Sequence, residues 1–429
     1  MAQKKFITEK IKKAKAEVGD KIKIENKKVK KEGVLMPHHQ FSDEDIVTIK
    51  LDNGYNIGIA IDKDTKISLV SKHKIVKKKA KEIPFDKNKN TVSVIGTGGT
   101  IACYVDYRTG AVHPASSAKD LAFSVPEVFE ICNLKTQVAF QILSENIDVA
   151  HWVDLAEKVR DELNSGSAGV IIPHGTDTLG YTGAALSFML KDLSGPVILV
   201  GAQRSSDRPS SDAALNLIAA ANIASKSDIG EVIAVMHDET SDTKMAIHRG
   251  TKVRKFHTSR RDAFKTVNDD PIGFFEKGKI NLNKKYLKKT KTKVKIDGRF
   301  EEDVAILFYY PGMKPEDIPE KKGIVFVGTG LGHVSERLFD RIKELTKKGT
   351  IFVMTSQCLF GRVNMSVYST GRDLLKLGII PCEDMLPETA YVKLMWALGH
   401  SNKREKVKKI MKENISGEIT KRTDSNVFL

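Results

Sequence analysis

The sequence lacks the features that mark membrane and secreted proteins. No run of about 18 uncharged apolar residues occurs along its 429 residues, so no transmembrane helix is expected. The first residues lead directly into charged sequence, without an apolar stretch of the signal-peptide type. The four cysteines are scattered and none forms a C-x-x-C pair, which argues against a disulfide framework or a zinc site. These absences predict a protein of the reducing cytoplasm.

Motifs of nucleotide and metal binding are also missing. There is no G-x-x-x-x-G-K-[ST] loop, and the glycine pattern that begins at Gly96 and Gly98 has Ile101 where a dinucleotide fingerprint has its third glycine. His, Cys and Asp residues form no cluster at metal-ligand spacing. We therefore expect this chain to bind neither a cofactor nor a metal ion.

Arginine is absent from the first 90 residues, although lysine is abundant there. This part holds 23 Lys against 13 Asp and Glu, a net charge of +10, whereas the other 339 residues share the remaining +6 of the total of +16. A basic module favours a polyanionic partner, most simply RNA. A solvated lysine-rich surface of the thermophile type is the alternative that charge alone leaves open.

Residues 1–75 are predicted to form a small basic β-barrel of the SH3-like type. Five short apolar or β-branched stretches without a helical pattern lie between residues 19 and 71, and Asp52-Asn53-Gly54 is a strong hairpin turn. The first 18 residues alternate lysine with small apolar residues and are expected to fray. The lysine-rich stretch 76–90 is interpreted as a linker.

From residue 91 strands alternate with helices, which is typical of an α/β fold with a doubly wound parallel sheet. We expect strands at 91–95, 169–172, 196–200, 231–236, 304–309, 323–327 and 350–355. We expect helices at 149–163, 178–192, 211–225, 334–346 and 387–398. One domain spans 91–300 and carries the active site, and a second spans 301–429 and ends in a charged tail. The stretch 276–300 is interpreted as a surface excursion.

Two threonine motifs directly follow predicted strands. Thr97-Gly98-Gly99-Thr100 comes after the first, and His174-Gly175-Thr176-Asp177-Thr178 comes after the strand at 169–172. Open α/β sheets build their sites at such strand ends. Two hydroxyls, one of them beside a carboxylate, predict nucleophilic chemistry on an acyl group. The structural alternative is that Thr100 and Thr178 only cap helices.

These motifs resemble those of the bacterial-type L-asparaginase/glutaminase family. The resemblance rests on residues 97–102, 174–178 and 201–204, on the gap of 76 residues between Thr100 and Thr176, and extends over about residues 91–398. It implies an asparaginase-like fold of two α/β domains. It also implies a homodimer core, because sites of this family are completed across a subunit contact.

The chain is similar in more detail to one archaeal branch, the subunits of glutamyl-tRNA(Gln) amidotransferases that carry a basic β-barrel before the asparaginase-like part. The segments 106–114 and 143–146 share that branch's sequence. The resemblance implies that glutamine is hydrolysed here and that ammonia passes to a partner subunit of the E type. That partner uses ATP and Mg to convert Glu-tRNA(Gln) to Gln-tRNA(Gln), in a heterotetramer that binds tRNA as a complex and involves no membrane.

The resemblance also assigns the site residues. The catalytic set it implies is Thr100, Thr176, Asp177, Lys255 and Tyr107. The substrate-binding set it implies is Ser144, Glu145, Gly99 and Gly175. Free asparaginases commonly have Gln at the position of Glu145, and this departure argues against a preference for asparagine.

Amide hydrolysis explains why these residue types are needed. An amide carbonyl requires a nucleophile, a base that removes its proton and a donor for the oxyanion. Lys255 suits the base where its surroundings favour the neutral amine, although a solvated basic face with Arg254, Arg260 and Arg261 is the alternative for this lysine. We favour Thr100 as first nucleophile with Tyr107 as its proton partner, and leave Thr176 as holder of the attacking water or second nucleophile.

Two other functions stay open from the sequence. One is a free cytoplasmic L-asparaginase/glutaminase with an added domain. The other is a basic RNA-binding scaffold on a degenerate amidase fold. The intact set of Thr100, Thr176, Asp177 and Lys255 argues against degeneracy.

Overall fold

The structure is a computed structural model that describes residues 3–38, 43–52, 55–72, 83–98, 125–204, 210–283 and 285–422, with the backbone of 103–105 and 112–114. The described residues form three parts. They are a five-stranded antiparallel sheet, a large α/β domain and a smaller α/β domain. In this described part of the chain no helix combines the length and the apolar character needed to cross a membrane.

The N-terminal part is a small sheet covered by one helix. Its elements are α1 (Lys5–Lys13), β1 (Lys21–Glu25), β2 (Lys30–Leu35), β3 (Ile46–Lys50), β4 (Asn56–Ala60) and β5 (Lys66–Ser71). The strands are ordered β4-β3-β2-β1-β5. Alternation along β1 buries Ile22 and Ile24, and α1 adds the fully buried Ile7 to the same core. The expectation that the first 18 residues fray is therefore wrong for 5–13.

The large domain is built on one mixed sheet. In chain order, the first strands of the domain are β6 (Thr91–Gly96), β7 (Cys103–Val105), β8 (Val112–Pro114), β9 (Asn133–Val138), β10 (Val170–Pro173), β11 (Leu190–Lys191), β12 (Val197–Val200) and β13 (Val232–His237). The later strands are β14 (Lys244–Arg249), β15 (Val253–Lys255), β16 (Phe264–Thr266), β17 (Gly273–Glu276), β18 (Lys279–Leu282) and β19 (Lys295–Ile296). The pairs β7 with β8, β11 with β19 and β15 with β16 form separate two-stranded sheets. The helices are α2 (Val128–Ile131), α3 (Val149–Asn164), α4 (Leu179–Met189) and α5 (Ala213–Lys226).

The strand order of this sheet is β18-β17-β14-β13-β12-β10-β6-β9. The strands from β9 to β13 are parallel, whereas β14, β17 and β18 add an antiparallel edge. Residues 279–282 thus form a sheet strand, and the interpretation of 276–300 as an excursion is wrong for this segment. Parallel strands are buried on both faces: Ile171 of β10 packs toward α5, and Ile172 packs toward α3 and α4.

The smaller domain has a parallel sheet in the order β20-β21-β22-β23. Its strands are β20 (Val304–Phe308), β21 (Gly323–Gly328), β22 (Ile351–Ser356) and β23 (Ile380–Pro381). Its helices are α6 (Phe339–Lys348), α7 (Ser369–Lys376), α8 (Pro387–His400) and α9 (Arg404–Lys412). The helix expected at 334–346 begins later, at Phe339, because a 3-10 turn over Glu336–Leu338 precedes it.

Helix α8 joins the two α/β domains. It packs along α4, where the rings of Tyr181 and Tyr391 meet edge to face at 6.3 Å. The segment 413–422 then returns across the junction, and Glu418 forms a fully buried ion pair with Lys393 of α8 at 2.6 Å. The predicted charged tail is therefore, over these residues, part of the packed structure.

Candidate active site

The second threonine motif forms the loop between β10 and α4, at the carboxyl end of the sheet. Thr176 is buried in this loop, and its Oγ1 accepts a hydrogen bond from Lys255 Nζ at 2.9 Å. The same Nζ is 2.8 Å from Asp177 Oδ1. Three residues of the predicted catalytic set, separated by 79 positions in the chain, therefore lie within one hydrogen-bonded group.

Lys255 is enclosed, whereas its carboxylate partner is open. The Lys255 side chain is 17% exposed and that of Asp177 is 68% exposed. The lysine ends β15, which pairs with β16 so that Lys255 lies opposite the fully buried Phe264. The Asp177 carboxylate therefore lies at the surface, and the amine lies on its inner side against the threonine hydroxyl.

The alternative of a solvated basic face around Lys255 is wrong. Each arginine of this region has its own carboxylate partner. The pairs are Arg254 with Glu388 at 3.4 Å, Arg260 with Asp262 at 2.7 Å, and Arg261 with Asp242. Of these four basic residues, Lys255 is the one that reaches the threonine motif.

The predicted substrate residues Ser144 and Gly175 touch each other. Ser144 is buried at the start of a 3-10 turn over Ser144–Asn146. A Cβ atom added at Gly175 would lie 2.6 Å from Ser144 Cβ, so only glycine permits this approach. Glu145 follows at the exposed surface of the turn.

Thr178 stands at the N-cap position of α4 but does not cap the helix. Its Oγ1 donates to the backbone oxygen of Ser144 at 2.7 Å, and no side-chain capping bond is formed. The capping interpretation of Thr178 is therefore wrong. The hydroxyl instead connects the 3-10 turn over Ser144–Asn146 to the loop that carries Thr176.

The first motif begins at the end of the neighbouring strand. Thr97 is buried, and its Oγ1 donates to the backbone oxygen of Pro173 at 2.8 Å, which joins the ends of β6 and β10. Gly98 has φ +98 and lies so close to Ile142 that a Cβ would contact its carbonyl at 2.5 Å. Gly99, Thr100 and Tyr107 lie outside the described residues, as does the capping alternative for Thr100, and these roles stay predictions.

A buried polar group supports the motif at 201–204, and the sequence reasoning missed it. Asp212 accepts the backbone N–H groups of Gln203 and Arg204 at 3.0 Å each. Asn216 donates to the Gly201 carbonyl at 3.0 Å and its Oδ1 is 2.7 Å from His237 Nδ1. The sequence signal that could have revealed this group is the amide of Asn216, one turn after Asp212, within the otherwise apolar run 213–221.

His174 is a fully buried neighbour of the second threonine motif. Its Nδ1 donates to the Gly175 carbonyl at 2.6 Å, while its Nε2 has no hydrogen-bond partner in the described structure. Burial lowers the pKa of His174 to about 4. The described thiols of Cys132 and Cys382 are inert, because burial raises the pKa of each to about 12.

Comparison with known proteins places this arrangement in a family. Family models match residues 16–70 (GatD N-terminal domain), 91–288 (Asparaginase, N-terminal) and 303–411 (Glutaminase/Asparaginase C-terminal domain). The D-type subunit of glutamyl-tRNA(Gln) amidotransferase from Pyrococcus furiosus is 55% identical over 427 residues, which is 96% of this chain and 97% of the relative. The chain belongs to the asparaginase family, in the branch of the D-type amidotransferase subunits.

Other members of the family agree in sequence and in structure. The D-type amidotransferase subunit of Thermococcus kodakarensis is 50% identical over 425 residues, with 96% of each chain covered. The solved thermostable L-asparaginase of the same organism has a TM-score of 0.70 at 31% identity and matches 77% of this chain and 99% of its own. L-asparaginase I of Vibrio cholerae has a TM-score of 0.67 at 27% identity, with 77% and 99% covered. The predicted fold class and family are thereby confirmed.

Proposed function

We propose that this chain is the glutaminase subunit of the amidotransferase that converts Glu-tRNA(Gln) to Gln-tRNA(Gln). The observation that carries the proposal is the 2.9 Å hydrogen bond between Lys255 Nζ and Thr176 Oγ1, in a chain 55% identical to a D-type amidotransferase subunit over 96% of its length. An amine enclosed beside a threonine hydroxyl is one of the pairings of base and hydroxyl that amide hydrolysis can use. The arginine pairs around it leave Lys255 free of any other carboxylate than Asp177 among the described residues.

The chemistry follows from the positions of these groups. In the proposed reaction the Thr100 hydroxyl attacks the side-chain amide carbon of glutamine and gives its proton to Tyr107. The carbon–nitrogen bond then breaks, the nitrogen takes up the proton from Tyr107 and leaves as ammonia, and the acyl group stays on Thr100 as an ester. A water held by Thr176 then loses a proton to Lys255 Nζ, acting as the base, and attacks the ester, which releases glutamate and frees Thr100. The solvent-exposed Asp177 carboxylate would bind the α-amino group of glutamine. Ser144, on the other side of the site, would contact the substrate next to Gly175. Thr100 as first nucleophile with Tyr107 as proton partner remains part of the proposal.

The assembly that we propose follows the branch. Two copies form a homodimer core within a heterotetramer, in the cytoplasm. The partner subunit of the E type binds ATP and Mg and receives the ammonia, and tRNA binds to the complex. The excess of lysine in the first 90 residues supports a polyanionic partner close to the N-terminal domain.

The deciding experiment is an ammonia-release assay with glutamine and with asparagine, with and without the partner subunit, ATP and charged tRNA. We expect glutamine hydrolysis that rises when the partner and Glu-tRNA(Gln) are both present. High asparaginase activity without the partner would instead identify a free asparaginase. RNA binding combined with no hydrolysis of either amide would identify a scaffold on an inactive fold.

A further inference from the structure

The segment that carries Lys255 is held by the other α/β domain. We name residues 251–255 the lysine segment. Three contacts connect three of its first four residues to the C-terminal domain, at and just before the first turn of α8. They are Thr389 Oγ1 donating to the Thr251 carbonyl at 2.8 Å, Lys252 Nζ donating to Asp384 Oδ2 at 2.7 Å, and Arg254 Nε at 3.4 Å from Glu388 Oε1.

The central contact of the three is a buried ion pair. The side chains of Lys252 and Asp384 are both 0% exposed. Burial lowers the pKa of Lys252, and the Asp384 carboxylate opposes this shift. Asp384 also accepts the Thr420 hydroxyl at 2.6 Å, so the carboxylate is fixed from two directions. A buried charge without its partner is strongly unfavourable, which leaves the lysine segment little freedom to move away from the C-terminal domain.

The threonine side of the site is also packed against α8, through helix α4. Helix α4 begins directly after Thr178 and packs along α8 through Tyr181 and Tyr391. Its Gly180 lies against the lysine segment, where an added Cβ would be 3.0 Å from the Val253 carbonyl. Both partners of the hydrogen bond between Lys255 and Thr176 are therefore placed relative to α8 and not only by the sheet of their own domain.

We infer that Asp384, Glu388 and Thr389 are positioning residues for glutamine hydrolysis, acting through the lysine segment on Lys255. The inference rests on the proposed function, which gives the contact between Lys255 and Thr176 its chemical role. A displacement of a catalytic group by about 1 Å can cost about a hundredfold in rate. Loss of one of these contacts therefore lowers kcat, whereas the substrate contacts of Ser144 and Gly175 stay in place.

The chain offers a matched pair of variants for the test. Thr389→Val removes a buried hydroxyl that donates to the Thr251 carbonyl. Thr355→Val removes an equally buried hydroxyl that donates to the Phe326 carbonyl at 3.0 Å, within the same domain and away from the lysine segment. We expect similar losses of thermal stability, but a fall in kcat of about tenfold with KM changed less than about twofold only for Thr389→Val.

Two further measurements separate positioning from a general loss of structure. In a Lys255→Met background Thr389→Val should cause no additional fall in rate, because its effect passes through the missing amine. Amide hydrogen exchange of the peptide spanning residues 250–256 should accelerate in Thr389→Val and not in Thr355→Val. Asp384→Asn would leave the buried charge of Lys252 without its partner, and this variant could fail to fold. The comparison of Thr389→Val with Thr355→Val is therefore the decisive test.

The outcomes distinguish this inference from the proposed function. An active wild type whose kcat is unchanged in Thr389→Val overturns the positioning role and leaves the glutaminase proposal standing. A wild type without activity on glutamine, together with faster exchange in Thr389→Val alone, overturns the proposed function and leaves the positioning of Lys255. Equal exchange in both variants also counts against positioning.

Discussion

One enclosed amine connects two consecutive residues of the site loop. Lys255 Nζ reaches both Thr176 Oγ1 and Asp177 Oδ1, at 2.9 and 2.8 Å. Because the threonine hydroxyl is buried and the carboxylate is exposed, the two contacts serve different partners. In the proposed mechanism the contact with Thr176 serves the reaction itself, and the contact with Asp177 serves the binding of the substrate.

Replacement of Lys255 by methionine tests the contact with Thr176. Lys255→Met keeps the length of the side chain and removes the amine, so we expect kcat for glutamine to fall by about 10²- to 10⁴-fold, the range of a lost general base. Lys265→Met is the matched control, since Lys265 lies on the paired strand β16 and donates to the Asp238 carbonyl at 2.6 Å. Steady-state ammonia release compares the two variants, and a similar loss in both would remove the special role of Lys255.

Substitution of Gly175 tests whether the contact between Gly175 and Ser144 matters for substrate binding. Gly175→Ala places a methyl group 2.7 Å from Ser144 Oγ, and Ser144 must move. Overpacking of this kind costs about 1–3 kcal/mol, and we expect KM for glutamine to rise about tenfold. Gly298→Ala, whose new Cβ would lie at 3.3 Å from a Val153 methyl, is the control for an added methyl group elsewhere. An unchanged KM in Gly175→Ala would show that Ser144 does not limit substrate binding.

Residue type and motif could predict which groups approach the site, but not all of their partners. Thr176, Asp177 and Lys255 were named from the sequence, and the structure brings them together. The partner of Arg254 is Glu388, which lies 134 positions later, and no local pattern connects the two. Thr178 failed as a helix cap because folding brings the Ser144 carbonyl to its hydroxyl, and a short-range rule does not contain that acceptor.

At the scale of elements, fully buried strands were the easiest to predict. The expected strands at 169–172 and 196–200 correspond to Val170–Pro173 and Val197–Val200, because continuous apolar runs have few alternatives in a globular fold. Lys279–Leu282 was missed, since an edge strand with one exposed face carries polar residues. The helix Lys5–Lys13 was missed because its lysines obscure the apolar spacing of Phe6, Ile7 and Ile11.

Two buried histidines in or next to the large sheet should make the free energy of unfolding depend on pH. His174 after β10 and His248 in β14 are fully buried, and burial lowers the pKa of each to about 4. The unfolded chain binds protons at these groups below about pH 6.5, where the folded protein does not. Stability from this source is complete above about pH 6.5 and falls as the pH drops toward 4, by on the order of 3 kcal/mol per histidine.

Thermal unfolding between pH 7.5 and 4.5 measures this dependence. We expect the melting temperature of the wild type to fall with acidification and that of His248→Gln to fall less steeply. His151→Gln is the control, because His151 lies partly exposed at the start of α3 and bonds Asp148. Parallel pH curves for wild type and His248→Gln would contradict the account of buried neutral histidines.

At the scale of the whole molecule, the N-terminal part has a hydrophobic core of its own. The cluster around Ile22, Ile24 and Ile49 contains residues of this part only. A hydrogen bond between the hydroxyls of Tyr55 and Ser210 at 3.3 Å connects its surface to the large domain. The solved L-asparaginase of Thermococcus kodakarensis is matched along 99% of its length by 77% of this chain, so the fold of the α/β part exists without such an addition.

Removal of residues 1–82 should therefore separate two activities. We expect the remaining chain to fold and to hydrolyse glutamine with kcat within about twofold of the full chain, as for an independent domain. Loss of the lysine-rich part should reduce formation of Gln-tRNA(Gln) in the presence of the partner, ATP and Glu-tRNA(Gln). Ammonia release and aminoacyl-tRNA analysis give the two rates. A truncated chain that no longer hydrolyses glutamine would show that the N-terminal part supports the site itself.

The order of the three parts could be predicted from composition, because lysine without arginine marks the first part and strand–helix alternation marks the rest. The contacts at the junction between the two α/β domains could not be predicted from the sequence. The sequence predicted only a charged tail at the end of the second α/β domain, yet Glu418 in that tail is fully buried against Lys393. A charge that is paired in the interior and a charge that is solvated look the same in a sequence.

The long separation in sequence between the lysine segment and its partners has a consequence during synthesis. Asp384 and Thr389 follow Lys252 and Thr251 by 132 and 138 residues. At about 5–20 residues per second, a ribosome needs on the order of ten seconds to add them. Throughout that interval the nascent chain contains Thr176 and Lys255 but none of the three C-terminal contacts that hold them in register. We therefore expect an unfinished chain to hydrolyse glutamine more slowly than the finished protein does.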